Sequence, residues 1–98
     1  MNIQAMMKQA QKLQKEMMNA KKEIDETIYE GKSSIVTVEA KGTKEITKVK
    51  INATSLEKED LEMLEDMILV AVNDANKKID EDTEKKLGKY TQGMPGLF

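Results

Sequence analysis

The chain of 98 residues has no cysteine, no histidine and no tryptophan, and none of its 16 basic residues is arginine. Each absence removes some chemistry. Without Cys and His, thiol nucleophiles, imidazole general bases and the usual zinc ligands go together. The expectation is a protein that is not an enzyme, with no metal site, no cofactor and no small-molecule substrate. Without Arg, the planar fork that reads a base edge is missing, and every positive charge is the point charge of a lysine. Tyr29, Tyr90 and Phe98 are the only aromatics, too few for a platform on which unpaired bases of a single strand or RNA stack.

Long apolar runs are missing too. The N-terminal stretch is interrupted by Asn2, Gln4, Lys8, Gln9, Gln11 and Lys12, so it has no signal-peptide core. The longest apolar stretch, residues 67–72, falls far short of the ~20 residues that span a bilayer. These features lead us to expect a soluble, cytoplasmic protein that does not engage membranes, and the lack of disulfides agrees. A chain this short buries only about 60–65% of its unfolded surface, so a second copy is a natural source of additional core.

What is present is charge, unevenly spread. The net charge is −2, but residues 1–50 hold ten Lys against seven acids (+3) and residues 51–98 hold six Lys against eleven acids (−5).

Ile3, Met6, Ala10, Leu13, Met17, Ala20 and Ile24 recur at alternating spacings of three and four, the a/d seam of a coiled-coil-like helix. No Gly or Pro interrupts residues 1–30, so a helix is expected from about residue 3 to residue 24 or slightly beyond. Thr27-Ile28-Tyr29-Glu30-Gly31 then reads as a short first strand. Residues 35–40 and 45–51 alternate as two further strands, joined through Lys41-Gly42, a hairpin turn in which Gly accepts positive φ. Opposed residues then sum to 83. Val36, Val38 and Ala40 share one face with Thr47, Val49 and Ile51, while Thr37 and Glu39 share the other with Lys44, Lys48 and Lys50, Glu39 standing opposite Lys44.

Thr54 and Glu57 have capping-box spacing, and Glu59, Asp60 and Glu62 suit the positive end of a helix dipole. A second helix is expected from here, carried by Leu61, Leu64, Ile68, Ala71, Ala75 and Ile79. Lys85 and Lys86 suit its negative end, and Gly88 is a plausible stop. It would run about 28–32 residues. Its middle, Met67, Ile68, Leu69, Val70, Ala71 and Val72, is apolar on every side, and one small sheet and one helix cover only part of it. These six residues are therefore the candidate dimer interface. Residues 1–89 form one domain, and 90–98, with Gly93, Pro95 and Gly96, are expected to be a flexible tail.

The candidate binding residues are lysines. Heptad counting puts Lys8, Lys15 and Lys22 at successive f positions opposite the seam, with Lys12 beside them, in a spine about 21 Å long. B-DNA carries one negative charge per ~1.7 Å of axis, so this spine matches roughly a dozen phosphates. On the hairpin, Lys44, Lys48 and Lys50 project from the polar face. Pattern alone equally describes a solvated helix face and an exposed sheet protected from edge pairing. The six carboxylates of residues 57–66 would repel DNA and must face away from it. Glu65-Asp66 and Asp80-Glu81-Asp82-Glu84 lack the loop spacing of calcium or acid–base sites and read as solvated helix faces. The eight methionines, among them Met6, Met7, Met17, Met18 and Met63, read mostly as adaptable core packing.

One resemblance joins these pieces. Met7-Lys8-Gln9-Ala10-Gln11-Lys12-Leu13-Gln14 resembles the N-terminal helix of the YbaB/EbfC family of bacterial nucleoid-associated proteins. The match continues in order through Ile35-Val36-Thr37-Val38, Gly42, Val49-Lys50-Ile51, Met63-Leu64-Glu65-Asp66-Met67, Val72-Asn73-Asp74-Ala75 and Gly93-Met94-Pro95-Gly96. It implies an α+β fold with a long N-terminal helix, a small three-stranded antiparallel sheet and a long second helix. It also implies a tweezer-like homodimer, a place on the nucleoid, and binding of double-stranded DNA that alters DNA conformation. Members often carry Arg where this chain has Lys48 and the pair Lys77-Lys78. The charge is kept and the fork lost, so backbone contacts with little sequence readout are expected. The competing reading is a protein-interaction or chaperone-like module, which two long helices flanking a hairpin also describe in outline.

Overall fold

In a computed structural model, which describes residues 2–91, helix α1 (Ile3–Glu26) leads into strands β1 (Ile28–Ser33), β2 (Val36–Lys41) and β3 (Ile46–Ile51). A single 3-10 turn (Lys58–Asp60) then opens helix α2 (Leu61–Thr91). The α+β arrangement expected from the sequence is the one observed. The shape is elongated, 71 × 21 × 14 Å with a radius of gyration of 19.4 Å, against the ~13 Å of a compact chain of this length.

Helix α1 begins where the Asn2 carboxamide oxygen accepts the backbone N–H groups of Gln4 (3.0 Å) and Ala5 (3.4 Å), two donors the helix itself leaves open. It ends at Thr27, whose backbone turns extended while its N–H still donates to Glu23 and Ile24.

The sheet is antiparallel with order β1-β2-β3. Its register departs from the expected one. Val36 opposes Ile51, Val38 opposes Val49 and Glu39 opposes Lys48, with a bulge at Glu39/Ala40, so Lys44 is not the partner of Glu39. The connection is longer than two residues. Lys44 N–H donates to Lys41 O (2.7 Å) and Lys41 N–H to Glu45 O (2.9 Å), and the left-handed residue is Lys44 at φ 76°, not Gly42. Opposed pairs now sum to 87. A slip of four keeps Lys48, Val49, Lys50 and Ile51 on their expected faces, because side chains alternate with period two, whereas beyond the bulge Ile46 comes opposite Ala40.

Gly42 serves a different purpose: a Cβ there would collide with the backbone of Ile24 at the end of α1. Gly31 is similar. It stands in the middle of β1 rather than at its end, where a Cβ would run into the backbone of α2 at Ala71 and Ala75. Both glycines permit close approach between elements.

The capping box is displaced by one turn from the expected Thr54–Glu57: the Asp60 carboxylate accepts the Glu57 N–H at 3.0 Å and the Glu57 side chain returns the bond. The helix also continues past Gly88 to Thr91, so the expected boundary at residue 89 falls inside α2. The rest of the expected tail lies outside the described residues.

Helix α2 crosses β1 and β2 and buries Val36, Val38, Ala40, Ala71, Ala75 and Ile79 as one core. It does not cover β3, every residue of which is exposed.

Candidate nucleic-acid interface

A ladder of polar contacts sets how α1 leaves the sheet. Asp74 accepts the Lys32 N–H (3.0 Å), and Lys78 reaches the Glu30 carbonyl (2.7 Å) as well as Asp74 (3.3 Å). Tyr29 donates its hydroxyl to Asp82, and Lys86 bridges Asp82 (3.1 Å) and Glu23 (3.6 Å). Residue numbers fall on one side as they rise on the other, so α2 runs antiparallel to β1 and to α1.

The protonation states fit this clasp. Desolvation, and then the hydrogen bond to Asp82, push the Tyr29 hydroxyl up to about 12. The Tyr29 hydroxyl and the Lys86 ammonium hold the Asp82 carboxyl below its ordinary value. The Lys32 N–H and then Lys78 do the same for Asp74, and Asp82 raises Lys86.

Only the C-terminal part of α1 takes part in the packing. Ile24 is buried, whereas residues 3–16 are all exposed, and the helix projects beyond the body as an arm. Lys8, Lys12, Lys15 and Lys22 stand exposed on it. Among the described residues none of the four has an ion-pair partner, and residues 1–15 contain no acid at all. That local lack of Asp and Glu was readable in the sequence and is a sharper signal than the f-position spacing.

The hairpin lysines divide. Lys48 and Lys50 are exposed on the sheet face turned away from α2, with no ion pair among the described residues. Lys44 is instead held by Asp80 of α2 at 3.0 Å, beside Lys21 and Asp25 at the base of α1. The structure thus brings Lys44 to the root of the arm and leaves Lys48 and Lys50 on a separate surface. Lys77 and Lys85 on α2 are also exposed without ion pairs among the described residues and were not among the expected contacts.

The acidic stretch 57–66 sits at the start of α2, remote from α1. Among the described residues no cluster of carboxylates is arranged to hold a metal ion, and no helix is long and apolar enough to cross a membrane.

The six residues expected at a dimer interface do not behave alike. Ala71 is fully buried under β1 and has no surface to offer a second chain, which corrects that assignment. Met67, Ile68 and Val72 are half-buried against the core, while Leu69 and Val70 remain 59% and 52% exposed. Pattern could not separate them, because a run apolar on every side gives no indication of which side the sheet takes.

Against known proteins, a model of the YbaB/EbfC DNA-binding family matches residues 1–94. A nucleoid-associated protein of Lactococcus lactis subsp. cremoris is 50% identical over 97 residues, covering 97% of this chain and 98% of that one. One of Ligilactobacillus salivarius is 42% identical over 99 residues, covering 99% and 95%. Among solved structures, an uncharacterized protein from Helicobacter pylori superposes with a TM-score of 0.70 at 25% identity, covering 95% of this chain and 99% of that one.

Proposed function

The chain belongs to the YbaB/EbfC DNA-binding family, and from that membership we propose that it binds duplex DNA on the nucleoid as a homodimer. Contact is mainly to backbone phosphates, with little sequence specificity, and binding alters DNA conformation. The observation that carries this reading is the arm. In a chain whose acids outnumber its lysines, Lys8, Lys12 and Lys15 sit on a projecting helix, within a stretch of fifteen residues that holds no acid, and none of the three has an ion pair among the described residues. Lysines without partners are available to phosphates, and binding releases the counterions those phosphates hold. Lys22 continues the row toward the body, while Lys48 and Lys50 add a second, separate patch. Lysine contributes charge without bidentate base reading.

The homodimer is supported by apolar surface that one chain leaves bare. Val49 and Ile51 on the core-side face of β3 are 48% and 38% exposed, because α2 does not reach them, and Met63, Leu69 and Val70 on α2 are more than half exposed. A second subunit covers such surface most simply.

The test is a titration of two unrelated duplexes at several salt concentrations, run beside sizing of the protein. Affinity should fall on a log–log plot with slope about −0.9 per phosphate neutralised, alike for both sequences. The particle should contain two chains. Salt-independent affinity, or no binding at low salt by the intact dimer, would overturn the reading.

A further inference from the structure

The sheet lacks a helix on its third strand, and α1 lacks a sheet along its arm. A helix is about 10 Å across and strands stand about 4.8 Å apart, so α2 covers β1 and β2 and stops short of β3. There Ile46, Val49 and Ile51 lie opposite Ala40, Val38 and Val36, on the face α2 packs against, yet they remain 38%, 48% and 38% exposed. The bare stripe runs about 17 Å along β3 and continues into a groove of about 240 Å³ lined by Leu56, Met63 and Met67. A contiguous apolar patch of this kind marks a contact surface.

The seam of α1 is covered at its base and bare along the arm. Ile24 is 3% exposed, whereas Leu13, Met6 and Ile3 are 46%, 53% and 72% exposed. Lys86 meets Glu23, and two antiparallel helices of equal rise then bring Thr91 level with Met18. From there α1 runs on to Ile3 for about 22 Å. It is one unbroken helix whose base is seated on Gly42, so its arm leads away from its own β3 and can meet only the β3 of another copy.

The two surfaces are complementary. Ile3, Met6, Ala10 and Leu13 form a seam about 15 Å long, close to the length of the β3 stripe and apolar like it. Charge agrees: residues 1–15 carry Lys8, Lys12 and Lys15 and no acid, whereas residues 57–66, which line the groove through Asp60, hold six carboxylates against one lysine. Opposite fields steer the arm to this end of a second molecule. We propose that the arm of each chain lies along β3 of its partner, its seam facing Ile46, Val49 and Ile51 of the partner subunit. This rests on the homodimer proposed above and names its contact. Under a two-fold axis the contact is made twice, and Lys8 and Lys15, opposite the seam, stay turned outward toward phosphate.

The protein has no cysteine, so single thiols report the contact in the full chain. Ala10→Cys on the seam and Val49→Cys on β3 both fall at exposed positions. The two variants are unfolded together in urea, refolded as an equal mixture and mildly oxidised, and the products are told apart by mass. Thiols held near each other close faster, so the mixed product, one chain of each kind, should exceed either symmetric product about tenfold. Gln11→Cys in place of Ala10→Cys moves the thiol about 100° around the helix and should remove most of that excess. A dominant Ala10→Cys pair assigns seam to seam, and a dominant Val49→Cys pair assigns β3 to β3. Either overturns the proposal, and so does the ratio that random pairing gives. Sizing of the unsubstituted protein separates this failure from that of the homodimer. A particle of two chains with symmetric cross-links overturns the arm exchange alone, whereas a particle of one chain overturns both.

Discussion

The base of the molecule and the arm of α1 are built from similar amino acids and put them to opposite uses. At the base, Lys44, Lys78 and Lys86 are each paired with a carboxylate, and Ile24, Ala71, Ala75 and Ile79 are buried. On the arm, Lys8, Lys12 and Lys15 have no ion pair among the described residues, and Ile3, Met6 and Leu13 are exposed. The base uses its charges to fix geometry, whereas the arm holds its charges in reserve. Changes at the base should therefore cost stability, and changes on the arm should alter binding.

The sharpest break comes from Gly31→Val, which forces side-chain atoms into the backbone of α2. It should destabilise by ~3 kcal/mol or more in urea unfolding, and a neutral result would mean that α2 does not pack so closely. Reversing Lys8, Lys12 and Lys15 together to Glu should leave stability within about 0.5 kcal/mol. DNA affinity at low salt should fall on the order of a hundredfold, with a shallower salt slope. Loss of folding instead would erase the contrast between the two regions. Tyr29→Phe removes one bond of the clasp but leaves Asp82 its Lys86, so a loss of about 1 kcal/mol is expected, with DNA binding unchanged.

The pH profile probes the same clasp. Asp74 and Asp82 are held below their ordinary 3.8, so their contribution is present above that value and lost as pH falls through the lowered one. Tyr29 is raised from 10.0 to about 12, so its contribution is present below pH 10 and lost as pH climbs toward 12. Melting temperature should decline on both flanks, and Tyr29→Phe should flatten the alkaline one. The smallest effect is expected from Lys44→Ala, whose exposed ion pair with Asp80 contributes at most ~0.5 kcal/mol. A larger loss by thermal melting would make the hairpin tip part of the clasp.

Much of this contrast was legible in the sequence, for reasons particular residues make plain. The seam from Ile3 to Ile24 announces α1, and the spacing of Leu64, Ile68, Ala71, Ala75 and Ile79 announces α2, because helical period survives any detail of packing. The faces of β2 and of residues 48–51 of β3 came through although their register did not, since a slip of four residues preserves alternation, while the bulge that brings Ile46 opposite Ala40 was not foreseen. What failed depended on tertiary contact. Lys44 takes the left-handed conformation because Gly42 is committed to Ile24, and no local rule foresees that a lysine will do the work expected of the neighbouring glycine. The clasp joining Glu23, Tyr29, Asp82 and Lys86 spans more than fifty residues of sequence, so only its Asp82 and Lys86 spacing was visible. Of the candidate site, the unpaired spine was readable from charge, while the capture of Lys44 by Asp80 required knowing that α2 passes the hairpin tip.

The close approach of Gly42 to Ile24 also has a mechanical meaning. It places a fulcrum near one end of a rod whose other end, at Ile3, lies about 32 Å away. A rotation of only ~10° there displaces the tip by about 5 Å, one helical pitch. A small change of packing at residue 42 would thereby be converted into a large displacement of the arm's tip.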